Sequence, residues 1–292
     1  MKYGHVSTDV LETIHFTLPP DQVLINKDEK ELSGGYKIFC GCGKWGIKEW
    51  VGNLYPEGTK EDNFLNAYMG RFNAIELNST FYRLSRTSIE EWAAVAKGSN
   101  FKFCPKWSRR ISHISWLKDV EESTAFFIDA CTLFTENLGA TFLQLPENFG
   151  PKYMDRVQGF LELIPNDYPL HLELRHKDWF ESQTFEEISN LLASKKFGLV
   201  ITDTAGRRDV IHMTLTAPVV FVRFNGYGLH PTDYSRLDEW AERIKTWERQ
   251  GIREVYFFCH QADERHTPEI CRYFLRILSH NINPNNGLIL PP

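Results

Sequence analysis

The run Leu170-His171-Leu172-Glu173-Leu174-Arg175 alternates apolar and polar residues without a break. Successive side chains on a strand point to opposite faces, so three leucines share one face and His171, Glu173 and Arg175 the other. Residues 185–196, farther on, carry helical periodicity. The same pair of elements recurs in both directions. Strand candidates start at Tyr36, Ala74, Phe101, Thr141, Leu170, Leu199, Val219 and Val255. Helical stretches fall at 61–72, 88–96, 120–137, 153–164, 185–196, 235–250 and 264–278. Only the gap after the sixth strand, 205–217, is too short for a helix. Parallel neighbours need crossovers, so the pattern predicts an α/β fold with a parallel sheet. Eight units in about 250 residues fit a TIM-like (β/α)8 barrel; a doubly wound open sheet is the alternative. The expected layout is an N-terminal extension over 1–35, the barrel over 36–280 and a C-terminal tail over 281–292.

Composition bounds the function. The chain is 42% hydrophobic and 24% charged, enough apolar residue for a large core and too little charge for bulk disorder. The formal charge is −5, which counts against a protein that coats nucleic acid. No apolar run reaches the roughly 18 residues of a membrane span. The opening stretch MKYGHVSTDVLETIHF has no apolar core of a secretory signal, and with six cysteines this predicts reduced thiols in a cytoplasmic protein.

If the leucine faces lie under the helices, the polar faces look into the barrel. That places Glu76, Glu173, Asp203, Lys102, Lys106, Arg175 and Arg223 in the lumen, where charge is costly unless paired. Three acids against four bases nearly balance, so a structural network is one reading. A site is the other, because Asn78, Lys106, Gln144, Arg175, Asp203, Asn225 and His260 fall at C-terminal strand ends, where barrel sites lie. Lys102 and His171 lie deeper and read as structural.

The stretch 76–83, ELNSTFYR, closes the second strand, and Arg83 there can clamp an anion bidentately. The stretch 173–180, ELRHKDWF, sets Glu173, Arg175 and His176 at one strand end. Asp203 follows an apolar run and reads equally as an acid of the site or a turn cap. His113 reads as a surface residue. Trp45, Phe81 and Tyr82 are among the aromatic residues at strand ends that can wall a site or roof the barrel. No G-x-G-x-x-G follows the first strand and no P-loop occurs, so nothing points to a nucleotide cofactor. Cys40 and Cys42 lack a second pair at zinc spacing. Glu173, His176, Asp203, His212, His230 and His260 could gather on a catalytic metal, but no spacing requires one. A G-x-S-x-G elbow is absent.

Taken together the motifs resemble the domain of unknown function 72 family, also called YecE-like. The matching pieces are Trp45-Gly46 with 50–59 (WVGNLYPEGT), Phe72 with 76–83, 101–106 (FKFCPK) with His113, 142–146 (FLQLP), 173–180, 223–226 (RFNG) and 234–241 (YSRLDEWA). The resemblance covers roughly 36–262. It implies a TIM-like barrel and no activity. Similarity of barrel shape to endonuclease IV-like proteins suggests DNA or phosphodiester ligands by analogy only. This chain departs from the family at 41–44 (GCGK) and at 259–261 (CHQ), both near the expected site.

The reading that follows is an enzyme acting on an anionic small molecule, phosphate- or carboxylate-bearing. Glu173 or Asp203 would be the base and His176 or His260 the proton relay. Arg83, Lys106, Arg175 and Arg223 would hold the anion, with Glu76, Asn78, Gln144, Asn225 and Trp45 completing the site. The rivals are a nucleic-acid binding or cleaving barrel, which needs an open basic groove, and a non-catalytic sensor or partner module with a filled lumen.

Overall fold

The structure is a computed structural model and describes residues 3–25 and 36–279. Strands form at all eight expected places: β1 Lys37–Gly41, β2 Ala74–Leu77, β3 Lys102–Pro105, β4 Thr141–Gln144, β5 Leu170–Glu173, β6 Gly198–Asp203, β7 Val219–Asn225 and β8 Glu254–His260. The helices between and after them are α1 Phe64–Met69, α2 Arg86–Ala96, α3 Glu121–Thr132, α4 Met154–Glu162, α5 Ser182–Ser194, α6 Pro231–Trp247 and α7 Thr267–Ser279. Between β6 and β7 the only helix among the described residues is the short 3-10 helix Ala205–Val210, followed by the two-residue strand Thr214–Leu215.

All strand pairing among the described residues is parallel. One sheet runs β1-β8-β7-β6-β5-β4 and a second joins β2 to β3. The first strand therefore lies beside the last, with Ile38 opposite Val255, whereas a doubly wound sheet reverses its order at a switch point. Between β3 and β4, Gly139 N donates to Phe103 O at 2.8 Å and Trp107 N to Phe142 O at 3.0 Å. Between β1 and β2, Glu76 N donates to Cys42 O at 3.1 Å, and side chains carry much of the rest. The Tyr68 hydroxyl accepts from Cys42 N at 2.7 Å and donates to Ala74 O at 2.9 Å. Asn73 accepts from Cys40 N at 2.8 Å and donates to Ile38 O at 2.9 Å. A side chain at Gly41 would put its Cβ 1.9 Å from Ala74 O, so only glycine allows this approach.

Helices cover the outer strand faces. α7 shows why: Ile270, Cys271, Phe274, Leu275 and Leu278 form one buried stripe at helical spacing. α6 starts on His230, whose ring accepts from Thr232 N at 3.3 Å, with Pro231 in the first turn, where a missing N–H costs nothing. The inner faces fill in two layers. The lower layer is apolar and includes Phe39, Ala74, Cys104, Ala140, Phe142, Val200, Phe221, Tyr256 and Phe258. The upper layer is charged.

Two residues expected in the lumen are elsewhere. Asp203 lies on the outer face of β6, since Val200 faces inward and strand faces alternate. There it pairs with Arg236 and Arg208 and accepts from Trp240 Nε1 at 2.7 Å. Lys102 sends its amine to the exposed Glu136 O at 2.5 Å.

The described part of residues 1–35 packs on the strand ends. Gln22–Val23 pairs parallel with Thr214–Leu215. Leu18 N donates to Glu239 at 2.7 Å, and Arg243 bonds Pro19 O and Asp21, each at 2.7 Å. The charged stretch 28–31, the Gly34-Gly35 pair and the expected tail 281–292 lie outside the described residues. Among the described residues no helix is long and apolar enough to cross a membrane.

Candidate functional site

The upper layer is built by strand geometry. Glu76 in β2, Glu173 in β5 and Arg223 in β7 point inward near their strands' C-terminal ends, and each is fully buried. Arg223 forks onto Glu76, its Nε to Oε2 at 2.8 Å and its Nη2 to Oε1 at 2.8 Å. Its Nη1 donates to Glu173 Oε2 at 2.8 Å. Arg175 Nε donates to the other Glu173 oxygen at 2.7 Å. Asn78 Nδ2 and His260 Nε2 reach Glu76 at 2.9 and 3.0 Å. A carboxylate cannot donate when ionised, so Nε2 is the donor in the His260–Glu76 bond.

Two guanidiniums and two carboxylates thus form one chain. Burial alone raises both acids; Arg223 and His260 outweigh it at Glu76, whose carboxyl stays well below the usual range. At Glu173, Arg175, Arg223 and Lys106 outweigh burial and hold the group down to about 2. Each Glu173 oxygen already accepts from a guanidinium, so this carboxylate is a weak base at neutral pH.

Above this layer opens a cavity of about 710 Å³ at the C-terminal strand ends. Asn78, Lys106, Gln144, Arg175, Asn225 and His260 all line it, as the sequence placed them. Lys106 Nζ donates to Gln144 Oε1 at 2.9 Å and lies 4.3 Å from the centre of the Phe81 ring. It makes no ion pair among the described residues. Burial first, then Arg223 and Arg175, lower its pKa to about 7 against the pull of Glu173 and Glu76. Arg175 Nη2 and Asn225 Nδ2 are buried without a hydrogen-bond partner.

Seven expected residues do not line the cavity. Glu76, Glu173 and Arg223 are buried in the layer beneath it, and four others lie elsewhere. Arg83 is exposed beyond the short helix Ser79–Tyr82. Trp45 packs edge-on against Trp92 and Phe103. His176 caps the turn Lys177–Phe180, accepting from Asp178 N at 3.3 Å. Asp203 is held beneath α6. Nor do the candidate metal ligands gather: among the described residues no three of His, Cys, Asp and Glu stand ready to hold an ion. His212 instead bonds Val200 O at 3.1 Å.

The structure adds lining residues. His113, read as a surface residue, lines the cavity, its ring 5.0 Å from that of Phe81. Burial, then Lys106 and Arg175, push its pKa down to about 4, so the imidazole is neutral at pH 7. Tyr3, Gly4 and His5 form one wall. The Arg175 guanidinium lies 4.2 Å from the Tyr3 ring centre, Gly206 N donates to Gly4 O at 2.8 Å, and the Tyr227 hydroxyl donates to Val6 O. No pattern in the sequence links 3–6 to strand ends some two hundred residues later. The 76–83 motif, by contrast, carries Phe81 and Tyr82 into the lining.

The model described as "Protein of unknown function DUF72" matches residues 39–288. The "UPF0759 protein YecE" of Escherichia coli strain K12 is 25% identical over 252 residues, covering 80% of this chain and 89% of that protein. A crystal structure of a DUF72 family protein from Enterococcus faecalis V583 superposes with a TM-score of 0.67 at 17% identity, over 84% of this chain and 97% of the other. One from Thermotoga maritima MSB8 gives 0.64 at 21% identity, over 84% and 99%. These structural likenesses speak for a shared fold.

Proposed function

The chain belongs to the DUF72 family, and on that premise we propose a closed TIM-like (β/α)8 barrel whose cavity binds and transforms an anionic small molecule, a carboxylate or a phosphate. One observation carries this reading. Three donor groups on cavity residues have no anionic protein partner: Lys106 Nζ, Arg175 Nη2 and Asn225 Nδ2. A buried donor left unmade costs about 1–3 kcal/mol, which an acceptor on a ligand offsets. The charge arithmetic agrees. Glu76 and Glu173 are claimed by Arg223 and Arg175, so a protonated Lys106 is surplus positive charge in a cavity that focuses it.

In this reading Arg175, Lys106 and Asn225 hold the anion. Glu76, Glu173 and Arg223 position them. His260 and the neutral His113 are the groups at hand to move protons. Arg83, Trp45, His176 and Asp203 take no direct part. Neither rival draws comparable support. The cavity has small-molecule size and a wall formed by residues 3–5 on one side, and it is not a filled lumen.

Calorimetry with inorganic phosphate and acetate at low salt tests the proposal. We expect millimolar or tighter binding that falls at least tenfold in Arg175→Ala and Lys106→Met. The ammonium, not the amine, pairs with an anion, so affinity should decline as pH rises through about 7. No binding of either anion at millimolar concentration would overturn the proposal.

A further inference from the structure

We propose that Lys106 is an imine-forming nucleophile, and that the substrate of the cavity is a carbonyl compound carrying a carboxylate or phosphate. The inference rests on the anion-binding reading above and deepens it. Its ground is the company that the amine keeps. A lysine that serves only as a strut is expected to end on a carboxylate. Lys106 has two buried carboxylates close by, yet both are taken up by arginines, and its amine ends on the neutral amide of Gln144 at 2.9 Å. It is 7% exposed and opens onto the cavity. An amine desolvated beside guanidiniums gives up its proton readily and so has a lone pair to offer. Burial and Arg223 act in that direction here, toward a pKa of about 7, with Arg175 adding and Glu173 and Glu76 opposing. The Phe81 ring, whose centre lies 4.3 Å from Nζ, attracts the ammonium form.

The step balances without a cofactor. The Nζ lone pair bonds to the carbonyl carbon, and the C–O π pair moves to oxygen, which takes up a proton while nitrogen releases one. A second proton reaches the hydroxyl, the C–O bond breaks and water leaves as the C=N bond forms, and the iminium nitrogen then releases its remaining proton, which restores the one lent to the hydroxyl. Amine and carbonyl give imine and water. His113, whose ring packs on the same Phe81, is neutral and able both to accept and to donate during these transfers. Arg175 Nη2 supplies the unpaired donor for the carboxylate or phosphate.

The test is borohydride trapping of the full chain with pyruvate and, separately, glyceraldehyde 3-phosphate, followed by peptide mass mapping. Lactate serves as the matching anion without a carbonyl. We expect at least one of the two carbonyl probes to leave a reduced adduct on Lys106, in large excess over every other lysine. Formation should rise from pH 6 to 8, as the amine loses its proton, while lactate affinity falls over the same range. Lys106→Arg and Lys106→Met, checked for folding by circular dichroism, should abolish the adduct. The mapping on the unaltered protein stands even if a variant fails to fold. Lactate binding without an adduct on Lys106 from either carbonyl probe overturns the imine and leaves the anion reading intact. An adduct spread over surface lysines also overturns it. Absence of both binding and adduct sinks the two proposals together.

Discussion

The inner faces of the strands are filled twice, in two chemistries. The lower layer closes with aromatic rings, Phe39, Phe142, Phe221, Tyr256 and Phe258 among them, and is held chiefly by contact, with the Tyr256 hydroxyl turned to Glu254. The upper layer closes with Glu76, Glu173, Arg223 and Arg175, each nine-tenths buried or more, and depends on directed bonds. Both exclude water. The difference lies in what is left over. The apolar layer leaves only the His171 Nδ1 atom unpartnered among the described residues of its lining, whereas the ionic layer ends in one cation with no carboxylate and two donors with no partner among the described residues. A layer that is expensive to bury and incompletely satisfied is where function is expected, because stability alone would favour rings throughout.

The comparison breaks first at Glu173. Glu173→Ala strands two guanidiniums and should cost about 3–5 kcal/mol in urea unfolding. Phe221→Ala, in the lower layer, should cost about the same by leaving a cavity. A change below about 1 kcal/mol at Glu173 would mean that the upper layer is not a strut. The two losses should differ in their pH response. Glu173 has a depressed pKa, so its contribution is complete above about 4.5 and is lost as pH falls toward about 2. The Phe221→Ala deficit should stay constant through that window.

Lys106 should show the opposite sign. Removing a buried amine that is reluctant to hold its charge, as in Lys106→Met, should raise stability by on the order of 1–2 kcal/mol while anion binding is lost. A loss of stability would place Lys106 among the struts. His171 sharpens the lower layer. It is buried with its Nε2 on Val219 O at 3.0 Å, and burial lowers its pKa to about 4. The unfolded chain binds that proton more readily, so stability should decline as pH falls from about 6.5 to 4, and His171→Asn should flatten that limb in a thermal melt series. The smallest effect belongs to Arg83→Ala, expected within about 0.5 kcal/mol in stability and silent in binding, because the side chain is exposed away from the cavity.

Strand positions and the inward set Glu76, Glu173, Arg175 and Arg223 were legible because alternation fixes faces wherever a strand alternates. β6 does not. Leu199-Val200-Ile201-Thr202 is apolar on both faces, so nothing marked Asp203 as outward, and it sits under α6. His176 and Arg83 lie beyond strand ends, where periodicity stops and turn geometry decides direction. Trp45 carried the right residue type for a cavity wall, but a ring fits equally well between Trp92 and Phe103. Tyr3 was invisible for a different reason: its place is set by contacts with Arg175 and Arg207, and local sequence holds no record of a meeting that distant.

That meeting bears on how the protein is made. Residues 3–6 leave the ribosome well before their partners Arg175, Gly206 and Tyr227. Domains tend to fold as units as the chain emerges, and long-range closures come last because the entropy of bringing ends together must be overcome first. The cavity wall is therefore completed after the strands it leans on, and a nascent chain cut short before Tyr227 would carry most of the strands with the cavity unfinished.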